Sequence, residues 1–261
     1  MCGYVGQDNS DLNTKRLHYI EQSLKDYTPI LEKADWLVPQ EDLNFLRPKP
    51  IEAKPVGGIG DFFTLFYKKE NEFVKDWCKF GAPLPWGKGQ PYFNATIEKI
   101  ETYFEDESER PFEKEVMQSV NERPCILFVD RFWENHAVNK KDYFKFERSD
   151  KGLIPLAGFF KEIEERDKTF NAFTLITTDP YPAIESIGHR RSPVILDDRL
   201  VLQWLNPNMN FQERLELISM PPVKTKFDIN QVAPSTVTRR VEEGLNSVKE
   251  VKREWHLAEG F

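Results

Sequence analysis

What the chain lacks narrows it first. No apolar run approaches the ~20 residues needed to cross a bilayer as a helix, and the first residues lack the charged-then-apolar pattern of a secretory leader. The expectation is a cytoplasmic protein with no membrane partner. Cysteine is scarce: Cys2, Cys78 and Cys125 are widely spaced and odd in number, with no CxxC pair and no histidine at zinc-ligand spacing. Neither a disulfide framework nor a structural metal is indicated, and no cofactor is expected. Basic charge is not in excess either. A formal net charge of −7 argues against nucleic-acid binding over the whole surface, because neutralising phosphates requires a basic face, but it leaves room for a local basic cleft. Repeats and flexible linkers are absent as well.

What is present is an ordinary globular composition, 39% hydrophobic and 13% aromatic over 261 residues, long enough to bury a substantial core. Tyr4 and Val5 between Gly3 and Gly6 read as a short, tucked-in strand. Leu17, Ile20, Leu24 and Leu31 recur at helical spacing, which predicts an amphipathic helix over 13–33. Pro48, Pro50 and Pro55 then favour extended backbone, and Gly57 to Gly60 reads as a turn. The aromatic and β-branched runs 61–67 and 72–80 predict a hairpin. Residues 81–91 form a Pro/Gly/Trp loop, 97–103 fits strand or helix, 105–109 is an acidic loop and 111–120 a short helix. The apolar run from Pro124 to Trp133 predicts one buried strand ending at Glu134, with further strands at 142–147, 153–159 and 170–178 and helices over 198–205 and 211–218. Strands outnumber helices without regular alternation, so the expected fold class is α+β in a single domain.

Four positions interrupt these patterns with reactive or polar groups: Cys2, Asn94, Glu134 and His189. If Met1 is removed, Cys2 carries an α-amine and a thiol on adjacent carbons, with ordinary pKa values near ~8 and ~8.5. Both are then partly in reactive form at neutral pH. Glu134 ends a run rich in aromatics, where poor solvation of its carboxylate would raise its pKa and let it carry a proton near neutrality; a solvated strand-end position is the bland alternative. His189 lies between Gly188 and a strand start, beside Arg190 and Arg191, which favour neutral imidazole and could hold a phosphate. Asn94 supplies a neutral donor and acceptor suited to orienting an amine or a sugar oxygen.

Gly188-His189-Arg190-Arg191 resembles a segment of class II glutamine amidotransferases, which also begin Met-Cys-Gly, but their Arg-Gly-Pro-Asp and Asn-Gly-Glu motifs are missing. A second family matches in order along most of the chain. Its Met-Cys-Gly start is Met1-Cys2-Gly3, and its Trp-Gly-x-x-Pro-x-Trp loop is similar to Phe80-Gly81-Ala82-Pro83-Leu84-Pro85-Trp86. Its Asn-Ala-Arg-x-Glu-Thr segment resembles Asn94 to Lys99, and its Asp-Gly-Phe-Tyr-Glu-Trp segment resembles Asp130 to Asn135. Leu156-Ala157-Gly158-Phe159-Phe160, Thr177-Thr178 and His189 to Leu196 complete the set. The sequence resembles the SRAP family, the SOS response-associated peptidases that include abasic-site processing proteins.

The resemblance implies a mixed, mostly antiparallel or barrel-like sheet with flanking helices, its core over about 2–220 and an extension over 221–261. It implies a monomer that binds single-stranded DNA containing abasic sites and links itself to them through Cys2, with AP lyase as a further activity. Carried over by position, Asn94 orients the terminal amine, Glu134 moves protons, and His189 assists sugar ring opening. Arg47, Pro48, Trp86, Lys88, Thr96, Arg110, Arg190 and Arg191 are the candidate DNA contacts, although Tyr4 and Thr96 stand where family members commonly carry phosphate-binding arginines. Two other readings stay open: a Cys2-dependent peptidase or amidohydrolase, and a non-catalytic single-strand-binding adaptor.

Overall fold

A computed structural model describes residues 4–7, 54–59, 62–69, 72–83, 91–105, 110–136, 143–150, 152–165, 168–197, 200–220, 226–232 and 253–256. The expected helix over 13–33, most of the proline-rich stretch before it reaches Lys54 and residues 106–109 of the expected acidic loop lie outside these residues, whereas Glu105 ends a helix.

The centre is a ring of five strands. β3 (Phe62–Lys69) and β4 (Glu72–Phe80) form the expected antiparallel hairpin, β3 also pairs with β8 (Pro124–Val129), and β8 with β11 (Ile154–Glu165). β12 (Lys168–Thr178) joins β11 on one side and β4 on the other, so the order β11-β8-β3-β4-β12 closes on itself. Closure removes the open edges that a flat sheet would expose. The β11–β12 seam is tight: a Cβ on Gly158 would lie 2.6 Å from the Thr174 carbonyl oxygen, so only glycine fits there.

Every residue of β8 is buried, yet its side chains alternate between two cores. Cys125, Leu127 and Val129 point into the barrel with Phe63, Leu65 and Phe173, whereas Ile126 and Phe128 point outward. Outside, a second core is closed by α1 (Ile97–Glu105), α2 (Pro111–Glu122), α4 (Val201–Trp204) and α5 (Phe211–Ser219). Asn210 and Glu213 form a reciprocal capping box at the start of α5, and Pro111 opens α2 where its missing N–H costs nothing. Residues 97–103, which fit either state as sequence, are helical because Ile97 and Ile100 meet this core on one face. The described helices contain no span long and apolar enough to cross a membrane.

A second sheet runs β15 (Arg253–His256), β14 (Lys226–Val232), β10 (Tyr143–Arg148), β9 (Arg131–Asn135), β1 (Tyr4–Gln7) and β2 (Lys54–Gly58). Gly57 and Gly58, expected in a turn, are paired in β2. The single strand expected over 124–134 is two: the chain breaks at buried Asp130, whose N–H donates to the Gly6 carbonyl and whose carboxylate holds Arg131 at 2.8 Å. This corner takes the chain from barrel to second sheet and delivers Glu134. The barrel core continues across it through Val5, Phe132, Phe146 and Phe227, with Phe132 and Phe146 stacked at 4.8 Å.

Candidate active site

Glu134 lies on β9 opposite Phe144, on the face of Phe132, and is buried at 1% exposure. His189 is brought to it by a short irregular path from the end of β12. Tyr181 precedes α3 (Pro182–Glu185), a single turn opened by Pro182 and closed by Gly188, whose N–H donates to the Glu185 carbonyl. Gly188 has φ of +74°, and a Cβ there would meet His136 Nε2 at 2.9 Å, so both backbone and space demand glycine. The segment is pinned behind His189 by Ser192, which pairs with Thr178 in the ladder of β13 (Ser192–Pro193) and whose hydroxyl accepts from the Tyr181 N–H.

His189 Nε2 stands 3.0 Å from Glu134 Oε2, and Nδ1 stands 2.6 Å from the Asn135 carbonyl oxygen. A carbonyl only accepts, so Nδ1 carries a proton. In a neutral ring Nε2 then holds a lone pair facing a carboxyl oxygen, and the 3.0 Å approach requires one proton on that line. Burial lowers the His189 pKa to about 4, which leaves the ring neutral at pH 7. The pair sets a buried carboxyl against a buried imidazole, two groups able to exchange a proton.

Asn94 is on β7 (Asn94–Thr96), in parallel register with Leu175 of β12. Its amide nitrogen and oxygen are both buried, with no hydrogen-bond partner among the described residues. A primary amide left in this state costs free energy unless a ligand or neighbouring group completes it. Cys2, Arg47, Pro48, Trp86 and Lys88 lie outside the described residues.

The remaining sequence candidates divide. Thr96 caps α1, its hydroxyl accepting from the Lys99 N–H at 3.4 Å. Arg110 precedes α2, is 82% exposed and pairs with Glu113 at 3.2 Å. Arg190 is exposed. Arg191 is instead drawn into the protein, where its fork meets both Glu98 oxygens at 2.9 Å. Hydrogen bonds between Arg191 and Glu98 oppose the effect of burial on that carboxyl and hold it below the usual carboxylate range. Glu98, the Asn135 carbonyl and His136 are site features that sequence reasoning missed. Cys78 and Cys125 are buried thiols whose pKa values burial pushes up, consistent with inert core packing. Among the described residues no group of acidic, histidine or cysteine side chains could hold a metal ion.

A closed barrel backed by a second sheet, with a buried carboxyl–imidazole pair, defines an α+β protein. The profile of the SRAP family, SOS response associated peptidase, matches residues 1–241, and the chain belongs to that family. It is 26% identical over 162 residues to the abasic site processing protein YoqW of Bacillus subtilis, covering 59% of this chain and 67% of that one. The abasic site processing protein YoaM of the same organism is 25% identical over 162 residues, covering 59% and 66%. Among solved structures, a protein from Bacteroides thetaiotaomicron superposes with a TM-score of 0.62 at 15% identity, over 94% of this chain and 100% of the other. A phage-related protein of Bordetella bronchiseptica gives 0.59 at 15%, over 88% and 94%. At these identities the two structures establish the fold.

Proposed function

We propose that this chain processes abasic sites in single-stranded DNA by forming a covalent thiazolidine crosslink through Cys2. The observation that carries the reading is the buried Glu134–His189 pair, 3.0 Å apart, beside the strand that follows Cys2. Tyr4 pairs with Trp133, the residue before Glu134. The names of the Bacillus relatives agree with abasic-site processing.

With Met1 removed, the Cys2 amine adds to the C1′ aldehyde of the opened sugar. The resulting carbinolamine must lose its hydroxyl as water, which needs a proton, and Glu134 holds one on the line to His189. The thiolate then adds to the imine carbon: the C–S bond forms, the C=N π pair returns to nitrogen, and one water has been released overall. Ring closure is intramolecular and favoured by proximity. His189 assists opening of the cyclic sugar as Glu134 gives its proton to the ring oxygen, which frees the Nε2 lone pair to take the C1′ hydroxyl proton, and Asn94 orients the amine. β-Elimination from the imine before closure would cleave the strand, giving the lyase activity.

The test is incubation of the processed protein with single-stranded DNA carrying one abasic site. A heat-stable shifted band that disappears in Cys2→Ala supports the reading. Absence of a covalent band from protein with a free Cys2 amine would overturn it, and glutamine or peptide hydrolysis lost in the same variant would favour the amidohydrolase.

A further inference from the structure

Resting on that reading, we propose that His136 is a positioning residue for His189. Its ring fills the space that a side chain at Gly188 would take, and so fixes the hinge from which the His189 imidazole is presented to Glu134.

Three consecutive residues hold the catalytic-site histidine and the glycine before it. The Glu134 carboxyl stands 3.0 Å from His189 Nε2, the Asn135 carbonyl accepts from Nδ1 at 2.6 Å, and the His136 ring lies against Gly188. The third contact is steric. A Cβ on Gly188 would lie 2.9 Å from His136 Nε2 and 3.3 Å from both Cδ2 and Cε1, so the imidazole comes tip first into the place where any other residue carries its Cβ. Ring and glycine are complementary in shape.

What that contact restrains is a hinge. Gly188 sits at φ of +74°, a conformation that glycine exchanges for others at little cost because it has no Cβ. Behind it the turn is well tied, since the Gly188 N–H donates to the Glu185 carbonyl at 2.7 Å. Ahead of it the tie is looser: the His189 N–H reaches the Ile184 carbonyl at 3.3 Å, past the usual N–H···O range. A rotation at Gly188 would therefore swing His189 first, and the ring packed on the glycine opposes it. The chemistry depends on this because Nε2 and the carboxyl exchange a proton only while they stay close. A displacement of about 1 Å can cost about 10²-fold in rate. His136 is partly exposed and follows the last residue of β9, so trimming its ring leaves both sheets in place and frees the hinge.

The test compares His136→Ala, His136→Gln, Gly188→Ala and the double variant His136→Ala/Gly188→Ala with the parent chain. In the free protein, the NMR order parameters of the Gly188 and His189 amides are expected to fall from about 0.85 towards about 0.6 in His136→Ala. In His136→Gln, whose side chain reaches as far but cannot titrate, they stay near the parent value. With saturating abasic single strand the crosslinking rate of His136→Ala falls about tenfold and that of His136→Gln by less than about threefold. Once the ring is gone the methyl group of Gly188→Ala no longer meets it, so the double variant is slowed by less than the product of the two single effects. Unchanged order parameters in His136→Ala overturn the proposal without reference to DNA, and so does a double variant slowed by the full product. A His136→Gln rate as low as that of His136→Ala also overturns it, because the imidazole would then act through its protons and not its shape. Failure of the parent chain to crosslink would instead overturn the abasic-site reading, while the order parameters still decide the role of His136.

Discussion

Replacing Glu134 by glutamine separates its chemical role from its structural one. Glutamine has the same shape and its amide donates to the His189 Nε2 lone pair, so the hydrogen bond along the 3.0 Å line survives. The stability change is then the difference between a carboxyl and an amide hydrogen bond, within about 1 kcal/mol, or a few degrees in Tm. What glutamine cannot supply is the proton for the departing water. General acid–base groups typically contribute about 10²–10⁴ in rate, so single-turnover crosslink formation in Glu134→Gln should fall by about 10²-fold or more. Glu134→Ala is the contrast: it strips Nε2 of this partner and opens a gap beside Phe132 and Phe144, costing about 2–4 kcal/mol. Rates come from quenched time courses on denaturing gels, stabilities from thermal melts of the same preparations. A Glu134→Gln rate within about threefold of the parent would refute the proton-transfer role. Equal destabilisation by glutamine and alanine would refute the placement of the proton, since an amide fails to replace a carboxyl only where an ion pair has been lost.

Burial of His189 makes a further prediction: its imidazole should titrate near about 4 by NMR, and a midpoint at or above the ordinary 6.5 would contradict burial as the controlling effect. The Glu134→Gln background removes the neighbouring carboxyl from the titration. Because the folded pKa of His189 lies below its unfolded one, its contribution to stability is complete above about pH 6.5 and lost as pH falls towards 4, so the urea midpoint should drop across that window. Gly188→Ala should cost roughly 1–2 kcal/mol and slow crosslinking, from its positive φ and the His136 ring in its way; an unchanged melt and rate would show that the loop relaxes freely. Buried Arg214, which donates to the carbonyls of Trp204 and Asn206 and packs on the Trp204 ring, holds the helices over the outer core; Arg214→Ala should lower stability by about 3 kcal/mol with crosslinking intact at low temperature.

The parts of the fold legible in the sequence are those whose pattern is local. The β3–β4 hairpin announced itself by two aromatic runs around a polar turn, α5 by its apolar residues over 211–218, and β8 by a continuous apolar run. The break at Asp130 was not legible, because Phe132 and Trp133 continue the apolar run while the chain changes sheet, and the cause is a hydrogen bond to Gly6, more than 120 residues earlier. β14 carries alternating Phe227 and Ile229 in a polar setting too short to stand out. At the site, Glu134 and His189 were found separately as polar interruptions and the structure brings them together. Glu98 was quoted within the Asn94 to Lys99 segment without a role, since its partner Arg191 lies 93 residues away and only the β7–β12 pairing makes them neighbours.

The most direct measurement is the intact mass of the conjugate formed between this protein and a single strand with one abasic site, made in parallel from chain beginning at Cys2 and from chain retaining Met1. The account predicts, for the first, a product whose mass is the sum of protein and DNA less one water, unaltered by borohydride because the ring holds no imine, and no conjugate for the second, whose Cys2 nitrogen is an amide. A conjugate from the Met1-retaining chain with the same mass and stability, or none from the chain beginning at Cys2, would contradict it.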